Sequence, residues 1–308
     1  MPPKQPNDTL PIPSFPEGGH KGDSRRVYKA DALLMLTALI WGTGFVAQHL
    51  GMDHVGPFTY NGVRFVLGVL LLLPLSVKQP SPVPLSMLFK YGGWAGLILF
   101  FGASFQQVGL VYTTAGKAGF ITGLYVILVP FLGLFTGLHI TRNAWLGAVL
   151  ATVGLYFLSV TETIAINLGD LLILIGALFW AIHILFIGHI APKVNTFQLA
   201  ATQFAVCAMC SLTTAIVTES IVISNLYAAT LPILYGGLLS VGVGFTLQVH
   251  AQRNAPETHA AIIFSLEAVF AALSGWIALD EQLSARELFG CVLMLLGMVI
   301  AQMKSRSR

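Results

Sequence analysis

Two charged side chains interrupt long apolar stretches of this sequence and could carry chemistry there. Arg64 lies within 57–77 and Glu267 within 257–279, and both stretches are otherwise rich in Leu, Val, Phe and Ala. A guanidinium can bind a carboxylate through two parallel hydrogen bonds, and a carboxyl group can bind and release a proton. Ionisable groups are costly in apolar segments of this length, so both residues are candidate functional residues.

Structural roles remain open for the same two residues. Arg64 and Glu267 could pair with each other, or hydrogen bonds from neighbouring helices could hold a protonated Glu267. Arg64 could also extend its side chain to the nearer membrane surface.

Further polar and aromatic residues occupy similar positions in other apolar stretches. Such side chains either line a polar cavity or bond neighbouring helices, at about 0.6 kcal/mol per hydrogen bond. Their distribution over both halves of the chain favours a shared cavity. In addition to Arg64 and Glu267, the candidate binding residues are Trp41, Gln48, Asn61, Gln106, Gln107, Tyr125, Trp180, His183, Gln203 and Gln248.

The composition indicates that these residues are positioned by membrane helices. Of 308 residues, 56% are hydrophobic and 9% are charged, whereas a soluble domain has roughly 25% charged residues. A spanning helix needs about 20 mostly apolar residues. Ten stretches qualify, near 31–50, 57–77, 90–113, 117–137, 142–160, 168–190, 196–218, 229–252, 257–279 and 285–303.

The sequence therefore predicts an all-α integral membrane protein with ten transmembrane helices, called spans 1 to 10 in chain order. Residues 1–29 are polar and rich in Pro, and we expect a disordered cytoplasmic tail there. The predicted domains are a first five-helix repeat at 30–162 and a second at 166–303, followed by a basic cytoplasmic tail at 304–308.

Basic residues in short loops orient such a protein, because they mark the cytoplasmic side. With the N-terminus inside, two basic residues, Lys117 and Arg286, fall outside. This asymmetry predicts a multi-pass protein of a bacterial inner (plasma) membrane with both chain ends in the cytoplasm. The basic residues on the inside are Lys4, Lys21, Arg25, Arg26, Lys29, Lys78, Lys90, Arg142, Lys193, Arg253, Lys304, Arg306 and Arg308.

An internal duplication is visible in five matches that follow one order along the chain. Because five spans is an odd number, the second repeat must enter the membrane from the opposite side. Inverted repeats are typical of secondary transporters, whose substrate site lies near the membrane midplane between the halves. The matches are Ala38-Leu-Ile-Trp41 with Ala177-Leu-Phe-Trp180, Arg64-Phe65 with Gln203-Phe204, Tyr91-Gly-Gly93 with Tyr235-Gly-Gly237, Gln107-Val108 with Gln248-Val249, and Gly147 and Gly154 with Gly290 and Gly297.

Several segments resemble the drug/metabolite transporter superfamily, specifically its EamA-type ten-helix carriers, over about 31–303. The resemblance implies export of small metabolites, such as amino acids, or of drugs, by alternating access through a midplane cavity. Protons are a candidate coupling ion, with Glu267 as the coupling residue. The segments are Trp41-Gly-Thr-Gly-Phe45, Gly56-Pro-Phe-Thr-Tyr-Asn-Gly-Val-Arg-Phe65, Thr114-Ala-Gly-Lys-Ala-Gly-Phe120, Ser265-Leu-Glu-Ala-Val-Phe-Ala271 and Leu279-Asp-Glu281.

The alternatives are an intramembrane enzyme and a channel. Ser104, in Gly102-Ala-Ser-Phe105, superficially resembles a nucleophile motif, but no His partner is set by spacing. A channel would show rings of charge or a filter, and no phosphate-binding loop for ATP is present. We therefore expect a transporter and not an enzyme.

No cofactor, metal or nucleic acid is expected as a partner. Cys207 and Cys210 form a C-x-x-C pair, but a metal site would need a second pair of ligands, and no basic stripe suited to nucleic acid appears. The expected partners are a small-molecule substrate, the lipid bilayer and protons, while the oligomeric state stays open.

Overall fold

A computed structural model describes residues 21–113, 115–138, 140–159, 168–279 and 284–303. These residues form ten helical spans and no strand, so the chain is an all-α membrane protein. The first five spans are Lys21–Met52, Pro57–Lys78, Leu85–Gly109, Ala115–Gly123 with Tyr125–Phe135, and Arg142–Ser159. The second five are Leu168–Ile190, Thr196–Thr218, Thr230–Ala251, Glu257–Phe264 with Glu267–Leu279, and Ala285–Gln302.

Eight spans are long and apolar enough to cross a membrane by length and composition. The other two, spans 5 and 10, have 18 residues each and pack against each other. Short helical turns, Ala191–Lys193 and Ile223–Ala228, connect spans 6 to 8.

The start of span 1 corrects the predicted N-terminal tail. The helix begins at Lys21, so the expectation of disorder is wrong for residues 21–29. Residues 1–20 and 304–308 lie outside the described part of the chain, as does the loop that contains Glu162.

Three spans that the sequence predicts as continuous helices are irregular. Span 4 is interrupted at Leu124, and span 9 at Ser265 and Leu266. At both interruptions the chain tightens by i to i−3 hydrogen bonds, and the Leu124 and Leu266 amides donate over 3.2 and 3.1 Å. Span 8 contains a π-helix, Tyr235–Phe245, a form that is rare and often found at functional sites.

Spans 2 and 7, which are equivalent in the two repeats, run antiparallel. Glu219 ends span 7, and its carboxylate accepts the Phe58 and Thr59 amides at the start of span 2, both over 2.8 Å. A carboxylate at this position satisfies free amides of a helix N-terminus. At the opposite ends, Gln198 donates to the Gln79 carbonyl over 2.9 Å. Antiparallel packing of equivalent helices is the relation that inverted repeats require.

Spans 5 and 10 form a second antiparallel pair of equivalent helices. Asn143, near the start of span 5, donates to the Met303 carbonyl after span 10 over 2.9 Å. Between these ends the backbones meet at glycines, where a Cβ added to Gly147 would lie 2.6 Å from the Gly297 carbonyl oxygen. Small residues allow helices to approach closely in lipid, where apolar surfaces gain little from meeting each other.

We expect Gly147→Ala to destabilise the protein by about 1–3 kcal/mol, because the added methyl group meets backbone atoms that cannot move aside. The measurement is the thermal unfolding midpoint in detergent. Gly93→Ala is the matched control, since a Cβ there meets nothing within 4 Å. Equal midpoints for the two variants would show that this helix contact is not tightly packed.

Candidate functional site

A narrow central cavity, with a volume of about 40 Å³, lies between the two repeats. Both repeats supply its walls, and seven of the ten spans contribute a side chain. Eight of the twelve predicted binding residues line it: Trp41, Gln48, Arg64, Gln106, Tyr125, Trp180, Gln248 and Glu267.

Glu267 is buried at the cavity wall, with 3% of its surface exposed. Its Oε1 accepts a hydrogen bond from the Tyr125 hydroxyl over 2.9 Å. Each residue begins the helix that follows an interruption, Tyr125 in span 4 and Glu267 in span 9. The hydrogen bond therefore joins the two repeats where their interrupted helices meet.

Tyr125 and Glu267 also occupy equivalent places in the repeats. They are 142 residues apart and each follows a leucine, Leu124 or Leu266. Matched residues earlier in the chain, Gln107 and Gln248, are 141 positions apart, and matched residues later in the chain, Gly147 and Gly290, are 143 positions apart. The separation of 142 between Tyr125 and Glu267 fits between them. The sequence spacing could have identified these two residues as equivalent, but the match is weak because tyrosine and glutamate differ in chemistry.

Arg64 lies in the same cavity wall and forms no ion pair with any described carboxylate, Glu267 included. Its guanidinium carbon is 5.2 Å from the centre of the Tyr60 ring and 5.3 Å from that of Phe65. Such cation–aromatic contacts compensate part of the cost of burial. The Nε atom has no hydrogen-bond partner, and the Arg64 side chain is buried, with 3% of its surface exposed.

Gln106 organises the polar side of the cavity. Its amide nitrogen donates to Gln48 Oε1 over 3.1 Å, and its Oε1 accepts from the Trp180 indole over 2.8 Å. Thr122 approaches the same oxygen at 3.5 Å. Side chains of spans 1, 3, 4 and 6 are thus held in one network.

Two equivalent tryptophans and one phenylalanine form the apolar side. Phe245 lies between Trp41 and Trp180, with ring centroids 4.7 and 5.8 Å away. The Trp41 indole donates over 3.2 Å to the carbonyl of Ser240, a residue of the π-helix. In a π-helix the backbone hydrogen bonds span five residues instead of four. Here the Ser240 carbonyl of the π-helix accepts a side-chain hydrogen bond at the cavity wall.

Four predicted binding residues are buried between helices and not at the cavity. Asn61 donates to the Ala103 carbonyl over 3.1 Å, and Gln107 donates to the Gln48 carbonyl over 3.3 Å. His183 and Gln203 share a hydrogen bond of 2.9 Å. These contacts tie spans together, as the helix-bonding interpretation of polar residues expects.

Five residues at the cavity were missed by sequence reasoning. Phe45 and Ile184 follow Trp41 and Trp180 by one helical turn, and this shared spacing could have identified them. The positions of the others depend on irregular helix geometry. The missed residues are Phe45, Thr122, Ile184, Ser240 and Phe245.

Comparison with known proteins gives one consistent result. A model of the "EamA-like transporter family" matches residues 28–160 and again 167–303. An "Uncharacterized transporter" of Archaeoglobus fulgidus is 35% identical, covering 94% of this chain and 90% of that protein. Escherichia coli "Uncharacterized inner membrane transporter YedA" is 25% identical, covering 84% and 88%.

Two further matches are a protein whose name states a function and a solved structure with a similar fold. A Salmonella typhimurium protein named "Probable amino-acid metabolite efflux pump" is 25% identical, covering 87% of this chain and 93% of that protein. A crystal structure with 19% identity has a TM-score of 0.72, covering 89% of this chain and 96% of the other. That structure shows a shared fold.

We expect Tyr125→Phe and Glu267→Leu to be energetically coupled, because the first removes the donor and the second removes the acceptor of the same hydrogen bond. A double-mutant cycle on unfolding in detergent should give a coupling of about 0.6 kcal/mol, with ~1.7 kcal/mol as the upper range. Thr214→Val is the control partner, since that hydroxyl bonds to Cys210 within span 7. Additive effects for Tyr125 and Glu267 would mean that the bond is not formed in the protein.

Proposed function

Because the chain belongs to the EamA-like transporter family, we propose that it is a secondary transporter that works by alternating access of its central cavity. The observation that carries this proposal is a cavity, built by both inverted repeats among helices long and apolar enough to cross a membrane, that contains buried polar side chains. Inverted repeats can exchange conformations, which opens a shared site first to one side and then to the other.

We further propose that the transporter exports small metabolites, such as amino acids or related compounds, or drugs. The Salmonella relative named as an amino-acid metabolite efflux pump supports this direction and substrate class. The polar and aromatic side chains at the cavity, such as Gln106 and Trp180, are of the kinds that bind small metabolites. A metabolite survey of cells with and without the protein, followed by flux with the purified carrier, identifies the substrate.

Glu267 is the residue that we propose couples transport to protons. It is buried, lies at the junction of the repeats, and bonds to Tyr125 through one described hydrogen bond. A carboxyl group in so apolar a setting is stable with a proton or beside a cation. Exchange of this proton for another partner then links the protonation of Glu267 to the movement of the halves.

An enzyme is less well supported than a transporter. Ser104 is buried, and its hydroxyl has no hydrogen-bond partner in the described chain, so no base is positioned to activate it. Nucleophilic catalysis by serine needs such a base within hydrogen-bonding distance.

We expect Glu267→Gln to retain substrate movement in proteoliposomes and to lose its dependence on pH. The variant keeps the size of the side chain but removes the proton that titrates. Glu257→Gln is the matched control, because Glu257 begins the same span and does not line the cavity. An unchanged pH profile in Glu267→Gln would contradict the proton role.

Both chain ends are proposed to be cytoplasmic, in the plasma membrane of a bacterium. Reporter fusions after Ser81 and after Arg142 should then report the cytoplasm. Ser81 follows two spans and Arg142 follows four, and an even number of spans returns the chain to the side where it began. A fusion near Glu162 should report the outside. A cytoplasmic signal at Glu162 would contradict the arrangement of five spans in each repeat.

A further inference from the structure

The antiparallel pair formed by spans 2 and 7 has two equivalent ends, but their contacts differ. Phe58 and Phe197 occupy matching places at the starts of the two helices, 139 residues apart. Gln79 is the residue that follows span 2, and Glu219 is the residue that follows span 7. Each end of the pair therefore brings the start of one helix to the residue that follows the other helix.

At the outer end, in the proposed orientation, a carboxylate of the second repeat holds the start of a helix of the first. Glu219 accepts hydrogen bonds from the Phe58 and Thr59 amides, both over 2.8 Å, and from the Thr59 hydroxyl over 2.6 Å. Span 2 has no capping side chain of its own, because its N-cap residue is Gly56. A Cβ at Gly56 would clash with the Glu219 carboxyl group, so this carboxylate takes the place of a side-chain cap. We call these contacts the outer clasp.

At the inner end the corresponding contacts are all neutral. Gln79 stands in the place of Glu219, and its Oε1 accepts from Asn195 Nδ2 over 2.6 Å. Gln198 donates to the Gln79 carbonyl over 2.9 Å. Span 7 is capped within its own repeat, since Asn195 Oδ1 accepts the Phe197 and Gln198 amides over 3.0 and 3.2 Å. The start of span 7 therefore needs no acceptor from the other repeat.

The two ends consequently differ in how strongly they resist separation. Separation at the outer end breaks hydrogen bonds to a charged group, which are roughly twice as strong as neutral ones. It also leaves the Phe58 and Thr59 amides without an acceptor until water reaches them. Separation at the inner end breaks neutral bonds, while the amides of span 7 keep Asn195 as their acceptor.

We propose that the outer clasp biases the transporter toward opening to the cytoplasm, and that Glu219 and Gly56 set this bias. The inference rests on the proposed alternating access and on the proposed orientation of the chain. Inverted repeats exchange conformations between the two open states, so unequal contacts at the two ends decide which state is more populated. A cavity that opens first to the cytoplasm suits a carrier that loads its substrate there.

The test measures the side from which the cavity is reached. Ser240 lines the cavity, and Ser240→Cys in a protein without its three native cysteines provides a single thiol there. A membrane-impermeant thiol reagent is added to right-side-out or to inverted membrane vesicles, and the two rates give a ratio of inner to outer access. We expect a ratio of ~5 or more, the lower range of typical coupling between sites. A ratio of one or less would overturn the proposal.

Two substitutions weaken the outer clasp in different ways, and both should lower the ratio by about 5-fold. Glu219→Gln removes the charge, whereas Gly56→Ala keeps the charge and displaces the carboxylate with a methyl group. Asp53→Asn is the matched control, because it removes an exposed carboxylate from the loop before span 2 and leaves Glu219 in place. Ratios that equal the control in both variants would contradict the assigned role.

A third variant copies the outer arrangement to the inner end and leaves the outer clasp unchanged. Gln79→Glu combined with Asn195→Gly removes the cap of span 7 and supplies a carboxylate from span 2 in its place. The ratio should then move toward one, because both ends are held by similar bonds. A ratio that stays the same or rises would also overturn the proposal.

Failure of this inference and failure of the proposed function give different results. A thiol at position 240 that is modified from neither side, in any variant, would contradict alternating access and this inference together. A thiol that is modified from both sides, at a ratio that none of the clasp variants changes, leaves the transporter in place and overturns only the role of the clasp.

Discussion

A carboxyl group in the interior of a membrane needs a partner, and here Tyr125 provides one across the junction of the two repeats. The bond between Tyr125 and Glu267 forms where spans 4 and 9 are both interrupted. Each interruption tightens the backbone by a few hydrogen bonds and places the next residue at the cavity wall. Much of the site depends on this constraint, because a buried acid without a partner would destabilise the packing of the helices around it.

The two halves share a plan but differ in detail, and the difference is consistent with alternating access. Spans 4 and 9 are interrupted at equivalent places, whereas span 8 has a π-helix and its counterpart, span 3, is a regular helix from Leu85 to Gly109. The two equivalent tryptophans also have different hydrogen-bond partners. Trp41 donates to the π-helix backbone of span 8, whereas Trp180 donates to the Gln106 side chain of span 3. Two halves of one fold in different conformations are what a transporter in a single state should show.

The fold was largely predictable from sequence because lipid imposes simple rules. Helix length, apolar composition and the spacing of matches such as Trp41 with Trp180 identify ten spans and an inverted duplication. The site was less predictable, because a polar residue can face a cavity or a neighbouring helix with similar free energy. Gln106 and Gln107 are adjacent, yet Gln106 lines the cavity while Gln107 bonds to the backbone of span 1. Helix rotation and irregularity decide between these roles, and neither follows from composition or periodicity.

The most direct test of the account is the access of water-soluble reagents to the cavity from each side of the membrane. Thr122 lines the cavity and is close in size to cysteine, so Thr122→Cys can be made after the three native cysteines, Cys207, Cys210 and Cys291, are replaced. A membrane-impermeant thiol reagent should modify this cysteine fully when it is applied to either side of the membrane alone. In both experiments the reagent itself should not cross the membrane. Bound substrate should slow both reactions. Modification from neither side, or passage of the reagent through the protein, would contradict an alternating-access cavity between inverted repeats.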